Sequence, residues 1–253
     1  MELHHDLKIE SRIVQFLTPK FKFLNSKFVN KVVAITNGVK EEYVKKNIIN
    51  EDKIIVLPSG SSIKTRFNFS KDKKNFKIGY FGSLYKSRGL DLIIKLAKID
   101  KTNHYYMFGD LSKIRNLKYK YVANNIHLKD YISYKQIPKK LMQMDILLMP
   151  YVSAITAGGN VGDITKFTSP LKLFDYLTVG KIIICSDFEV LKEVIKNKKN
   201  AIFIKNFKNI FSWKLEIDKL KYQPQKNLII SNNNFKLSKK YSLKERAKKF
   251  LKN

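Results

Sequence analysis

Gly79-Tyr80-Phe81-Gly82-Ser83-Leu84-Tyr85-Lys86-Ser87-Arg88-Gly89-Leu90 runs from the end of an apolar strand, through a glycine-bearing loop, into an amphipathic pattern that continues to Lys98. A strand that turns through glycines into a helix is the repeating unit of parallel α/β architecture. The unit recurs on either side of this stretch. Short apolar, β-branched runs predict strands at Val32–Ile35, Lys53–Leu57, Phe76–Phe81, His104–Phe108, Asn125–Leu128, Asp145–Met149, Lys181–Cys185 and Ala201–Ile204. Helical periodicity is clearest at Arg88–Lys98, Tyr134–Gln143, Pro170–Leu177 and Phe188–Lys196.

Apolar periodicity stops at Arg66–Asn75, where Ser70-Lys71-Asp72-Lys73-Lys74 supplies a charged linker. The chain is therefore expected to divide into residues 1–74, a partial domain, and residues 75–235, a complete nucleotide-binding-type sheet domain. Residues 236–253 follow as a basic amphipathic helix with Leu243, Ala247, Phe250 and Leu251 on one face. An Asn-rich turn is expected at Asn232–Asn234.

At 253 residues, 44% hydrophobic and 12% aromatic, the chain has apolar surface enough to offset chain entropy, which excludes disorder throughout. No run approaches the roughly eighteen apolar residues of a spanning helix. Residues 1–6 have neither a basic nor an apolar leader character, and Cys185 is the sole cysteine, so a reducing, cytoplasmic setting is expected. Lys and Arg number 50 against 21 Asp and Glu, a formal net charge of +29 that invites nucleic acid, an anionic membrane surface or an anionic substrate. Only Arg12, Arg66, Arg88, Arg115 and Arg246 are arginines; base reading favours the planar guanidinium over the hydrated ammonium, so no nucleic acid partner is expected. The four His and single Cys lack metal-ligand spacing, so no metal is expected either, and His104 and His127, in or beside strands, read as structural.

In an open α/β sheet the ligand crevice lies at the carboxyl ends of the strands. A loop such as Gly82–Gly89 offers it backbone N–H groups and a helix N-terminus for a phosphate, with Lys86 and Arg88 adding charge. An ordinary βα turn with solvated charges accounts for these residues equally well. In Phe167-Thr168-Ser169-Pro170-Leu171-Lys172-Leu173-Phe174-Asp175-Tyr176-Leu177-Thr178-Val179-Gly180-Lys181, Thr168 or Ser169 can cap a helix with Pro170 at its first position. The N–H groups of Leu171 and Lys172 then point outward, where an anion binds well. Asp175 lies one turn in, where a carboxylate can accept from a ribose diol; alone, it reads more readily as a surface helix residue. Gly180 ends the helix. Ala157-Gly158-Gly159-Asn160-Val161-Gly162-Asp163 has the composition of loops that close over ligands and equally of loops that only connect.

Taken in order, Ile35-Thr36 with Val39, Val56-Leu57-Pro58-Ser59-Gly60, the Gly82–Gly89 loop, Asp145–Tyr151 and Ser169–Gly180 resemble family 4 glycosyltransferases. Ser169-Pro170-Leu171-Lys172-Leu173-Phe174-Asp175-Tyr176 is the most specific match, and the resemblance covers Lys31 to the end, where Tyr241–Ala247 is similar to the family's last helix. The resemblance implies a GT-B-like fold: a Rossmann-type parallel sheet domain with helices on both faces, preceded by an incomplete second Rossmann-like domain. It also implies retaining transfer from a nucleotide diphosphate sugar, UDP- or GDP-linked, without a cofactor.

In that frame Asp175 holds the donor ribose, and Gly82, Ser83, Arg88 and the backbone N–H groups of Leu171 and Lys172 hold the diphosphate. The loop bearing Gly158, Gly159 and Asp163 lies near the sugar. Fixed positive charge at the diphosphate stabilises the departing nucleotide without a metal. Phe167 stands where the family's first acidic residue belongs, with Asp163 as its substitute, and Ser83 replaces a common arginine. No catalytic residue is assigned; His4 and His5 are the weak candidates, read more readily as exposed terminal side chains. Glu2-Leu3-His4 resembles a strand end well inside the acceptor-side domain. The chain is therefore expected to be a truncated enzyme, a partner of a separate N-terminal half, or a remnant.

The leading expectation is a hexosyltransferase-like enzyme of surface polysaccharide biosynthesis, acting on a glycan or lipid-linked acceptor. Its basic surface suits the anionic inner face of the cell membrane. The alternative is a nucleotide-binding module that keeps only the donor domain.

Overall fold

The computed structural model describes residues 2–3, 23–65, 74–114, 123–152 and 163–252. Three short strands, β1 (Glu2–Leu3), β2 (Val32–Ala34) and β3 (Ile54–Val56), form a parallel sheet in that order, with Leu3 opposite Ala34 and Val32 opposite Ile54. Helix α1 (Asn37–Lys45) joins β2 to β3. Its start is set by Thr36, whose hydroxyl accepts from the Val39 N–H at 3.2 Å. Leu24, Val39, Tyr43 and Ile49 pack on this sheet as a core of their own.

The second sheet contains β4 (Lys77–Phe81), β5 (His104–Phe108), β6 (Ile126–Lys129), β7 (Ile146–Met149), β8 (Ile182–Ser186) and β9 (Ala201–Ile204). All its neighbours are parallel, in the order β6-β5-β4-β7-β8-β9. The helices that cover it are α2 (Leu90–Ile99), α3 (Ile137–Met142), α4 (Leu171–Thr178), α5 (Glu189–Lys192), α6 (Ile210–Lys221) and α7 (Pro224–Lys240), followed by α8 (Leu243–Leu251). Side chains alternate along each strand, so the sheet has a core on each face. Ile78, Tyr105, Met107, Ile146, Leu148, Ile182 and Ile184 pack with Ile93, Leu96 and Trp213 on one face. Phe81, Leu147, Met149, Ile183 and Cys185 pack with Leu141, Leu173, Leu177 and Leu191 on the other.

Every strand expected from the pattern is present, most of them displaced by a residue or so at an end. Two expectations are corrected. Helix α5 stops at Lys192 and does not reach Lys196. The Lys196 carbonyl accepts from the Asn200 and Ala201 N–H groups, and Lys198 takes a φ of 58°, so a tight turn leads directly into β9. Asn232–Asn234 is no turn but lies inside α7. Asn234 is buried and donates to the Lys181 carbonyl at 2.9 Å, and Asn233 donates to the Lys199 carbonyl at 3.0 Å. These contacts to loops of the sheet offset the poor helix propensity of asparagine.

Helix α7 runs across position 235, and residues 66–73 of the expected linker lie outside the described residues. The chain returns to the first sheet through Ser61, whose N–H donates to the Tyr241 carbonyl (3.0 Å) and whose carbonyl accepts from Leu243 (3.1 Å). Arg246 of α8 donates to the carbonyls of Pro58 (3.0 Å) and Leu57 (3.3 Å). No helix among the described residues is long and apolar enough to cross a membrane.

A fully buried carboxylate, Asp100, fixes the junction of α2, β5 and α6. It accepts from Asn103 (2.7 Å), Tyr105 (2.7 Å) and Thr102 (3.1 Å), with the Lys214 ammonium at 4.0 Å. Burial opposes its ionisation, but the hydrogen bonds from Tyr105 and Asn103, together with the Lys214 charge, hold it below the ordinary 3.8. Its contribution to stability is therefore complete above that unfolded value and is lost as the pH falls through the lower folded one. Asp100→Ala leaves Tyr105 and Asn103 buried without their acceptor and is expected to cost roughly 3–5 kcal/mol. Urea unfolding of the variant beside the parent measures the loss, which should shrink in acid.

Candidate functional site

Strand β4 lies between β5 and β7, and the connections leave it in opposite directions, so a crevice opens at the carboxyl ends of these strands. A cleft of about 460 Å³ occupies it. Phe81 and Phe108, the last residues of β4 and β5, stack with centroids 4.5 Å apart and form one wall. Tyr131 and Ile132, just after β6, extend that wall, while Ile137 and Leu141 of α3 close the side. Gly82 and Ser83 form the lip, and α4 contributes Lys172, Asp175 and Tyr176.

The lip depends on Gly82, whose φ is +140° and where a Cβ would stand 3.0 Å from the Lys172 ammonium nitrogen. Gly89, at φ +84°, starts α2 where a Cβ would come within 2.0 Å of the Pro150 carbonyl oxygen. The lip is thereby held against the loop that follows β7.

Lys172 and Asp175 are three residues apart, so both open into the cleft from one face of α4. The Asp175 Oδ1 accepts from the Ser61 hydroxyl at 2.6 Å and from the Tyr134 hydroxyl at 3.2 Å. Burial pushes its carboxyl above the ordinary value, and those two hydrogen bonds partly restrain it. Lys172 turns back toward the helix start and reaches the Tyr80 hydroxyl at 3.3 Å, its ammonium 4.4 Å from the Tyr80 ring centroid and 5.7 Å from that of Tyr151. Burial, and then the neighbouring Arg88 charge, bring its pKa down to about 7. The Arg88 guanidinium lies over the other ring, 5.3 Å from the Tyr151 centroid.

The structure thus brings Gly82, Ser83, Lys172 and Asp175 into one cleft, with Arg88 behind Lys172 rather than in the lining. The cap expected for α4 is corrected. Pro170 is the N-cap and no side chain caps it; the Ser169 hydroxyl accepts instead from the Ser59 N–H at 3.0 Å, tying the helix start to the loop after β3. The N–H groups of Leu171 and Lys172 remain in the uncapped first turn, and the Leu171 side chain is 65% exposed. Asp163 is exposed, accepts from the Thr165 N–H at 2.8 Å and is not among the described residues that line the cleft. Phe167, at the acidic position, packs against the core of the first sheet. His4, His5, Gly158 and Gly159 lie outside the described residues. His104 and His127 sit on neighbouring strands with facing ring nitrogens 3.1 Å apart, away from the cleft lining. Among the described residues no group of three or more His, Cys, Asp or Glu could hold a metal ion.

Sequence reasoning missed Ser61, Tyr134 and Tyr80, whose roles depend on contacts across the chain. It also missed the aromatic wall, for which a signal existed: Phe81, Phe108 and Tyr131 end or follow successive strands.

The sequence model of the glycosyl transferases group 1 family matches residues 61–237. The chain belongs to this family. An uncharacterized glycosyltransferase of Methanocaldococcus jannaschii is 26% identical over 190 residues, which cover 69% of this chain and 45% of that protein. An uncharacterized 42.6 kDa protein in the cps region of Klebsiella pneumoniae is 20% identical over 220 residues, covering 84% of this chain and 53% of that one. The chain therefore spans about half the length of these curated relatives. Anabaena HepE, solved with UDP, superposes with a TM-score of 0.74 at 14% identity, covering 99% of this chain and 70% of that one. Sucrose-phosphate synthase of Thermosynechococcus elongatus superposes with a TM-score of 0.71 at 11% identity, covering 99% of this chain and 65% of that one. The group 1 chain thus has the α/β fold of GT-B glycosyltransferases, its six-stranded parallel sheet preceded by the smaller one.

Because burial alone raises the Asp175 carboxyl and two hydroxyls hold it down, Ser61→Ala with Tyr134→Phe should raise its pKa further. Carbon-13 NMR titration of labelled aspartate carboxyls reads the direction.

Proposed function

We propose that this chain binds a nucleotide diphosphate sugar in the β4/α4 cleft and is the donor side of a retaining, family 4 type hexosyltransferase. The observation that carries the reading is the convergence of Asp175 and Lys172 from one helix face beside the Gly82-Ser83 lip and the Phe81–Phe108 wall. The apolar end suits a base, the Asp175 carboxylate a ribose diol, and the lip with Lys172 and the uncapped start of α4 a diphosphate. Arg88 adds charge behind Lys172. Charge fixed in place before reaction stabilises the departing nucleotide as the sugar–phosphate bond stretches. UDP is the nucleotide of choice because the HepE structures hold UDP and UDP-glucose. The acceptor is a glycan or lipid-linked glycan of surface polysaccharide synthesis.

Isothermal titration with UDP and GDP, beside Asp175→Ala, tests the donor site. UDP is expected to bind, with the variant weakened roughly tenfold or more, and EDTA is expected to leave binding unchanged. Absence of binding to either nucleotide overturns the reading. Binding without release of sugar from UDP-glucose, with or without added acceptor, favours the donor-only module instead.

The net charge of +29 and α8, which carries Lys244, Lys248 and Lys249 beside the exposed Phe250 and Leu251, support a peripheral position on an anionic membrane. Each lysine near such a surface contributes about 1 kcal/mol. Co-sedimentation should therefore require vesicles with anionic lipid and fall away in high salt; equal pelleting with neutral vesicles sinks this part.

A further inference from the structure

Ser83 stands where the resemblance places an arginine against the diphosphate, and Arg88 lies behind the cleft lining. Among the described residues that line the cleft, the cation is the side chain of Lys172. Resting on the donor-site reading, we propose that the Lys172 side chain, seated on Tyr80, is the diphosphate-recognising cation of this cleft, and that it takes up its proton when nucleotide binds.

The position follows from α4. Lys172 is in the helix's first turn, and a helical side chain leans toward the N-terminus, so its ammonium ends beneath the lip, beside the uncapped N–H groups. Gly82 keeps the way open, because a Cβ there would lie 3.0 Å from the ammonium nitrogen and 3.4 Å from its Cε. The Tyr80 hydroxyl accepts from Lys172 and donates to the Ser83 carbonyl at 2.7 Å, which joins the lysine to the lip itself.

Among the described residues no carboxylate faces the ammonium closely enough to neutralise it. Tyr80 from β4 and Tyr151 after β7 are phenols that burial holds protonated, as is Tyr176 from the same helix, and Arg88 from the lip loop adds like charge. The Cys185 thiol of β8, near Tyr151, is likewise pushed up by burial. Asp175, one turn on, is turned to Ser61 and Tyr134, and Asp110 lines the cleft from the loop after β5. Among the described residues no carboxylate forms an ion pair with Lys172 within 4.0 Å. Two neighbouring cations, one of them desolvated, make a site that a multivalent anion completes. Before it arrives the cheapest relief is loss of the Lys172 proton, consistent with its value of about 7. A diphosphate restores that proton, and linkage makes affinity fall as the pH rises.

The test is titration of the whole chain with UDP and with uridine, at about pH 8 and about pH 6.5, in buffers of different ionisation enthalpy. At the higher pH, UDP binding should take up as much as about one proton, and less at the lower pH. Lys172→Met should abolish the uptake and weaken UDP roughly tenfold to a hundredfold while leaving uridine unchanged. Lys172→Arg, which cannot deprotonate, should restore UDP affinity without the uptake. The unchanged uridine affinity and the arginine rescue separate loss of a charge from loss of the fold. UDP binding through Asp175 with undiminished affinity in Lys172→Met, or with uptake that survives it, overturns this inference and leaves the donor reading standing. Failure of the parent chain to bind UDP overturns both.

Discussion

Everything at the cleft depends on β4 having β5 on one side and β7 on the other. Because the chain leaves the sheet in opposite directions from this point, no helix among the described residues covers the strand ends, and whatever those ends carry faces a gap. Here they carry aromatic rings from β4 and β5, a glycine lip, and the start of α4 aimed from the neighbouring connection. The register of the two central strands, Ile78 opposite Ile146, sets how far the lip stands from the loop at Pro150, and Gly89 brings them into backbone contact. The fold thus supplies a ligand-sized gap before any side chain is chosen.

Polar burial in this molecule takes two forms. Around Asp100 a carboxylate is surrounded by donors and a lysine, so its charge is satisfied and it braces the sheet. Around Lys172 a buried amine is set among phenols and beside a guanidinium, and among the described residues no carboxylate pairs with it within 4.0 Å. The first arrangement suits a core, while the second is the kind that an arriving anion would complete, as proposed above.

The sheet was legible because parallel strands covered on both faces are near-continuous apolar runs, and β7, β8 and β9 are of that kind. Helix α7 was not: its asparagines look like turn formers, and only the carbonyls of Lys181 and Lys199, distant in the chain, make them good helix residues. Gly82, Asp175 and the backbone of Lys172 stand out from loop chemistry, helix-start chemistry and the family resemblance, and all three residues line the cleft. The Lys172 side chain's destination was not legible, since it depends on Tyr80 from another strand. Local chemistry alone makes Thr168 or Ser169 a cap, whereas a backbone N–H at Ser59 takes the Ser169 oxygen and no side chain caps the helix. Phe167 was read as the loss of a carboxylate, and in the fold it is a gain of apolar contact with the first sheet.

Ser61 touches three parts of the molecule at once. Its backbone pairs with Tyr241 and Leu243, its chain position follows β3, and its hydroxyl holds the Asp175 carboxylate. If the donor ribose proposed above engages Asp175, it meets a carboxylate whose Oδ1 already accepts from Ser61 and Tyr134, so donor occupancy and the seating of the smaller sheet are coupled through that group. Such a shared contact makes the two equilibria reciprocal: whatever free energy a ligand adds to or takes from the joint, a change at the joint returns to the ligand in equal measure. The Ser61 contact would then act beside the other ties between the two halves, Ser59 to Ser169 and Arg246 to Pro58, without any large rearrangement of either sheet.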